Sequence, residues 1–375
     1  MELCSHADCT GCGLCARVCP RGSISFPERE FGHTYPVIDT ESCIDCGLCS
    51  QACPSLHRPA FTEPESAFAG WARNEADYRA STSGAAATLL SRAVLQRGGV
   101  VYGCTSLPGL SFRHVRVDRE EDLDRLRGAK YVKSDLSEIF GPMREDVSQG
   151  RDVLFIGMPC QVAAVVNLFP SRPANLLLVD MICHGVPSQA FLQRYFTKKL
   201  GISPEKVSSV RFRRGNEKIL EAFGDGGAVL FQSRPYRPKQ LRNDPYYGCF
   251  MRGYSFRESC YRCAYARSAR ISDLTIGDFW GLGKTALCAL PPHDNGVSLL
   301  MPHADKGRQL LESIRKGMYL FERPVAEAVQ GNERLRIPKT KTAPARLFRK
   351  LYPVLGITLS FTLVELLRRL SGRKE

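Results

Sequence analysis

Two copies of one cysteine run stand within the first fifty-three residues: Cys9-Thr-Gly-Cys12-Gly-Leu-Cys15-Ala-Arg-Val-Cys19-Pro20 and Cys43-Ile-Asp-Cys46-Gly-Leu-Cys49-Ser-Gln-Ala-Cys53-Pro54. Thiolates this close can surround an iron-sulfur cube only if the backbone wraps it tightly, which Gly11, Gly13 and Gly47 permit. The fourth cysteine of each run is expected to reach across to the other cube. That assigns Cys9, Cys12, Cys15 and Cys53 to one 4Fe-4S cluster and Cys43, Cys46, Cys49 and Cys19 to the second. Zinc knuckles would use isolated CxxC pairs rather than CxxCxxC runs ending in CP. One-electron chemistry follows.

The doubled run resembles the bacterial two-cluster ferredoxins, so residues 1–58 are expected to form an α+β ferredoxin-like domain. Pro54, Pro59 and Pro64 predict an extended linker over 59–77. The remainder of the 375 residues alternates strand and helix patterns. A helical stripe over Gly84–Arg97 leads into Val100–Tyr102. Further strands are expected at Val153–Ile156, Leu176–Ile182, Leu274–Ile276 and Val297–Met301, and helices at Leu136–Val147, Gln189–Leu200 and Asp305–Arg315. This is an α/β domain over 78–325 with a mixed or largely parallel sheet. Residues 326–375 read as a basic amphipathic tail.

Net charge is +14, and from Arg334 to Glu375 eleven Lys or Arg face two Glu, so most of that excess belongs to the tail. No basic face interleaved with aromatics occurs in the body, which speaks against nucleic acid as a partner. Leu351–Leu367 is apolar but interrupted by Pro353, Gly356 and Glu365. Flanked by Arg346, Arg349, Lys350, Arg368, Arg369, Arg373 and Lys374, it suits an anionic membrane surface or an acidic protein partner. A helix packed on the body with a solvated basic end fits equally well. Deleting residues after Pro344 is expected to leave clusters and any flavin intact but to weaken partner or liposome association. Sixteen cysteines, with Met1-Glu2-Leu3 leading almost directly into the first run, predict a reducing cytoplasmic setting, peripheral at most to the inner membrane face.

Four more cysteines have distinctive settings: Gly157-Met-Pro-Cys160-Gln161, Met181-Ile-Cys183-His184-Gly185 and Ser259-Cys260-Tyr-Arg-Cys263. Cys160 and Cys183 each follow an apolar strand, where α/β proteins place ligands, and Cys260 with Cys263 makes a CxxC bite. Four thiolates suffice for a third cluster. Buried cysteine as a small hydrophobe, or Cys160 as a redox thiol at a helix start, accounts for the spacing as well. Cys4, Cys104, Cys249 and Cys288 have no partner at ligand spacing.

Together with Ser272-Asp-Leu-Thr-Ile-Gly-Asp278-Phe-Trp-Gly281, these motifs resemble the coenzyme F420 hydrogenase/dehydrogenase beta-subunit family. That family also includes divinyl chlorophyllide reductase and hydroxymethyl chlorophyll a reductase. The resemblance runs from about Tyr78 to Arg323. It implies FAD and a third 4Fe-4S cluster on Cys160, Cys183, Cys260 and Cys263. Ser81-Thr82-Ser83-Gly84 is similar to a flavin-phosphate loop, with Ala85 where the family has a second glycine. Gly128-Ala-Lys130-Tyr131-Val-Lys-Ser134 is similar to the family's GSKYVQS element, which implies that Lys130 lies near the isoalloxazine. His184, Asp278 and His114 are candidates for handling a proton there.

The expected function is a ferredoxin-linked iron-sulfur flavin oxidoreductase acting on a two-electron substrate, deazaflavin-like or otherwise. An electron-transfer subunit with no substrate site of its own is the alternative. Ferredoxin or another one-electron carrier is the expected partner.

Overall fold

The computed structural model describes residues 3–238, 240, 243–284 and 289–371. Cys288, Arg373 and Lys374 therefore lie outside the described residues. In the N-terminal unit two short helices, Leu14–Val18 and Leu48–Gln51, each start directly after a left-handed glycine, Gly13 at φ 80° and Gly47 at φ 79°. Strands β1 (Ile24–Ser25) and β2 (Val37–Ile38) pair antiparallel between them.

The body is built from β3 (Ala67–Ala72), β4 (Val100–Leu107), β5 (Ser111–Val117), β6 (Val153–Gly157), β7 (Leu176–Met181), β8 (Ser209–Arg214), β9 (Glu217–Phe223), β10 (Val229–Gln232), β11 (Leu274–Asp278), β12 (Ser298–Pro302) and β13 (Met318–Arg323). Eight of these form one sheet in the order β13-β3-β12-β11-β7-β6-β4-β5, and β8 to β10 form a separate antiparallel meander. The four central strands β4, β6, β7 and β11 run parallel; β5 on one side and β12, β3 and β13 on the other are antiparallel. The α/β expectation with a mixed sheet holds.

Continuous apolar runs in β6 and β7 require cover on both faces. Leu154 and Leu177 pack with Leu89, Leu90, Leu310 and Leu311 from the helices Ala86–Leu95 and Asp305–Ile314. Val153, Phe155 and Leu178 turn the other way, onto Val162 and Val165 of helix Pro159–Leu168 and Phe140 of helix Phe140–Ser148. A second, aromatic core joins the meander to helix Pro245–Arg252 through Phe212, Tyr246, Tyr247 and Phe250.

Three boundaries differ from the sequence reading. Residues 59–77 are not simply a linker, because β3 lies between β12 and β13; its Ala-Phe-Ala-Gly-Trp-Ala sequence shows no alternation because it is buried on both faces. The predicted helix over Gln189–Leu200 relaxes into a π-helical turn at Tyr195–Leu200.

The third concerns the tail, which is not a detachable appendage. Its helix, Ala343–Leu370, buries Phe348, Ile357, Phe361 and Val364 in the aromatic core. Glu365 accepts from Tyr254 Oη at 2.8 Å and pairs with buried Arg252 at 3.2 Å. The alternative of a helix packed on the body describes these contacts, and removal after Pro344 would take away one wall of the aromatic core. Gly356, at φ 68°, kinks the helix so that both halves follow the body.

The N-terminal unit docks on the body through buried contacts. Leu14 joins the sheet's second core. Phe31 stacks on Tyr352 with centroids 4.8 Å apart, and His33 Nε2 lies 3.1 Å from Ser255 O.

Candidate active site and its thiol-lined approaches

The structure sorts the eight N-terminal cysteines into the two expected sets. Cys9, Cys12, Cys15 and Cys53 line one small cradle, and Cys19, Cys43, Cys46 and Cys49 line another. Neither cradle has a carboxylate or imidazole among its lining residues. Among the described residues no three Cys, His, Asp or Glu converge on a single-ion site. Both donor sets fit 4Fe-4S clusters. Sequence spacing missed Cys4, which lines the first cradle within hydrogen-bonding reach of Cys9 and Cys53.

Cys160, Cys183, Cys260 and Cys263 come together in a third cavity. β6 ends at Gly157, and Pro159 at the first helical position starts the next helix, with Gln161 Oε1 accepting from Met158 N at 2.9 Å. Cys160 is thus held at a helix N-terminus. Cys183 follows β7 and accepts from Gly185 N at 3.4 Å. Gly185 sits at φ +109°, and a Cβ there would fall 2.4 Å from the Phe256 ring, so glycine is required. Burial and the neighbouring thiols push Cys183 up to about 12 and Cys260 to about 11. Four thiols in one cavity that Lys133 and Arg257 also line form a donor set that suits a polynuclear iron cluster.

His184 lines this thiol cavity rather than a flavin-sized one. Its Nε2 lies 3.1 Å from Met251 O and its ring meets Phe250 and Phe256 edge-on. Burial lowers it to about 4, so it is neutral near pH 7. The structure therefore separates His184 from Asp278 and Lys130.

A larger cavity of about 290 Å³ opens at the carboxyl ends of β4, β6, β7 and β11, and Ser81, Ser83, Lys130, Tyr131 and Asp278 line it. Ser83 Oγ is buried without a partner, as a hydroxyl awaiting a ligand would be. No side chain caps helix Ala86–Leu95, which leaves its first amides free for an anion. Gly84 packs the loop on β3, since a Cβ there would lie 2.1 Å from Gly70 O. Ala85 is left-handed at φ 69°, a conformation that glycine would adopt without cost. Ser81 Oγ is already spent on Asp77 O at 2.8 Å.

Lys130 Nζ donates to Leu126 O and Arg127 O at 2.8 and 2.7 Å, and burial lowers it to about 8. Asp278 pairs with Arg213 at 2.8 Å. Tyr131 stacks on Phe250 with centroids 4.5 Å apart. His114 also lines the cavity, but both ring nitrogens are committed, Nε2 to Ile156 O at 3.0 Å and Nδ1 to Ser134 Oγ at 3.1 Å. Nε2 must donate to the carbonyl, so Nδ1 accepts from the serine.

The cavity continues into a cleft of about 880 Å³ whose lining includes Lys130 and Arg125, Arg127, Arg211, Arg213 and Arg214, the arginines being ion-paired to Asp122, Asp77, Glu221, Asp278 and Glu217. These meander cations escaped sequence reading because β8 and β9 alternate charge with apolar residues like any half-buried hairpin.

No curated protein matches this chain. A chain of the F420-reducing NiFe hydrogenase complex from Methanosarcina barkeri is 18% identical over 72% of this chain and 91% of its own length, with a TM-score of 0.43. Residues 8–56 match the 4Fe-4S dicluster domain. Residues 150–328, which contain Cys160, Cys183, Cys260 and Cys263, match the family described as the C terminus of the coenzyme F420 hydrogenase/dehydrogenase beta subunit. The chain thus carries a segment similar to 4Fe-4S dicluster domains, followed by a segment similar to the C terminus of coenzyme F420 hydrogenase/dehydrogenase beta subunits.

Proposed function

We propose that this chain is an iron-sulfur flavin oxidoreductase with three 4Fe-4S clusters and one FAD, acting on an anionic two-electron substrate. The carrying observation is the contiguity of the cavities. Thr10, Pro54 and Ser55 line both the first cradle and the third thiol cavity. Met158 lines both the third thiol cavity and the large one. A flavin supplies exchange of electron pairs with a substrate, whereas clusters deliver electrons singly. Ser83 and the uncapped helix would hold its phosphates, Lys130 would meet its anionic reduced ring, and the basic cleft would orient the substrate.

The second cradle is the entry side. Cys46 and the neighbouring Ile44 and Leu48 are exposed, which suits docking of ferredoxin or another one-electron carrier.

Anaerobic purification should give about twelve irons and one FAD per chain. About eight irons without flavin would instead favour an electron-transfer subunit lacking its own substrate site. Lys130→Met should weaken FAD binding about 10- to 100-fold, the size of one charge-assisted contact. The neutral amine is favoured in the folded protein, so its protonated form weighs against stability below about pH 8, and that burden lifts as pH rises toward the free-lysine value. A bound anion restores the ammonium. Affinity for the reduced flavin should therefore fall as pH rises through about 8 in the wild type and lose that dependence in Lys130→Met; an identical pH profile in both proteins would remove Lys130 from the site.

The tail helix shows a second face to solvent. Val354, Leu359, Leu363, Leu366 and Leu367 are exposed, beside exposed Arg346, Lys350 and Arg369. It is long and apolar enough to cross a membrane by composition, but its buried face belongs to the body. Charge complementarity favours an anionic lipid surface as its partner. Co-sedimentation with phosphatidylglycerol vesicles should occur and be lost in Leu359→Glu/Leu363→Glu. Retention by the variant, or no binding by the wild type, would reject the lipid.

A further inference from the structure

Arg257 is 1% exposed and joins two thiol sets. Its Nε donates to Cys9 O at 2.6 Å, and its Nη2 donates to Cys9 Sγ at 3.2 Å and Thr34 O at 2.9 Å. Tyr35 lies beneath the guanidinium, 3.9 Å from ring centroid to Cζ. Nη1 is buried without a partner, and the residue lines the cavity of Cys160, Cys183, Cys260 and Cys263. Arg257 O also accepts from Cys260 N at 3.0 Å, so one residue bonds to a cysteine of each set. Gly11 makes room: at φ +64°, its Cβ would lie 2.7 Å from the guanidinium.

Lys133 stands beside it. Its Nζ donates to Gly11 O, it lines the same cavity, and its charge acts on both Cys12 and Cys160. Neither cation forms an ion pair with a carboxylate among the described residues. The nearby Glu258 is taken by Lys341 and Arg349, and Asp8 by Arg262. Two unpaired cations in a protein interior are costly unless an anion faces them. The anion must come from the thiolate sets.

We infer that Arg257 and Lys133 are a shared countercharge between the first ferredoxin-type cluster and the cluster on Cys160, Cys183, Cys260 and Cys263, raising the reduction potential of both and keeping them matched. The inference rests on the three-cluster reading for its second half. One electron enters a cube on reduction without a proton, so a fixed positive charge and an N–H···S contact favour the reduced form. Both residues are positioning residues; arginine suits the role because its fork can serve two sets at once while staying charged.

The test is a dithionite titration of whole protein followed by EPR of the reduced clusters, with iron counted per chain. Arg257→Gln should keep its iron and shift the first cluster to a more negative midpoint. Arg257→Lys should shift it less. Lys133→Gln, which places the residue of the similar GSKYVQS element, should lower the first and third together. Unchanged midpoints in loaded Arg257→Gln and Lys133→Gln overturn the inference. Should Arg257→Gln lose iron, Arg257→Lys and Lys133→Gln decide by the same criterion. A wild type with eight irons would remove the third cluster, and with it Lys133's shared role, while the Arg257–Cys9 contact is still judged on the two remaining signals.

Discussion

Cys160→Ser and Cys263→Ser proteins are expected to carry about four fewer irons per chain than the wild type, with the two ferredoxin-type signals intact. Each variant removes one thiol from a set contributed by the start of helix Pro159–Leu168, the turn after β7 and residues 260–263, none of which carries a cysteine of the two N-terminal sets. The cavity wall is shared at Thr10, Pro54 and Ser55, but the thiols are not. FAD should survive in both variants, since the large cavity is lined by other residues save Met158. Full iron content in both would show that these cysteines are packing residues, and that the third cavity is not a cluster site. Loss of all iron would show that the three sets load as one unit.

The second large effect lies far from the thiols. Glu365→Ala should destabilise the body by about 3–5 kcal/mol, the range for removing one partner of a buried ion pair. Arg252 and Glu365 are both nearly inaccessible, Tyr254 donates to the same carboxylate, and Arg368 adds a further contact at 3.0 Å. Glu365→Gln keeps the shape and the tyrosine contact, so it should lose less. Urea unfolding followed by tyrosine fluorescence measures both. A shift below about 1 kcal/mol for the alanine variant would mean that the helix is an accessory rather than a wall of the aromatic core.

The sequence made the thiol chemistry legible because ligand spacing is local: four cysteines within eleven residues state their geometry without reference to the rest of the chain. The crossing of Cys19 and Cys53 was readable because the run occurs twice, although the partners are distant in sequence. The central strands were also readable, since β6 and the first four residues of β7 are apolar runs. What could not be read depends on distant partners. β3 looks like a linker until β12 and β13 are seen on either side of it. The requirement for glycine at position 84 is hidden until Gly70 O is found against it. His184 looks like a flavin-side acid until the turn after β7 directs it toward Met251. Glu365 interrupts an apolar stretch in sequence, yet it is among the helix's most firmly held side chains.

Lys130 and Lys133 lie three residues apart on one irregular segment, one bonded to Leu126 O and Arg127 O beside the large cavity and the other to Gly11 O beside the thiol cavities. The segment is fastened at Lys133 N to Pro187 O and at Tyr131 O to Tyr246 Oη. It bridges the two chambers, held by side-chain and loop contacts rather than by a regular hydrogen-bond ladder. Were both proposed cofactors bound, this one short segment would border each of them, and its order would be set by both.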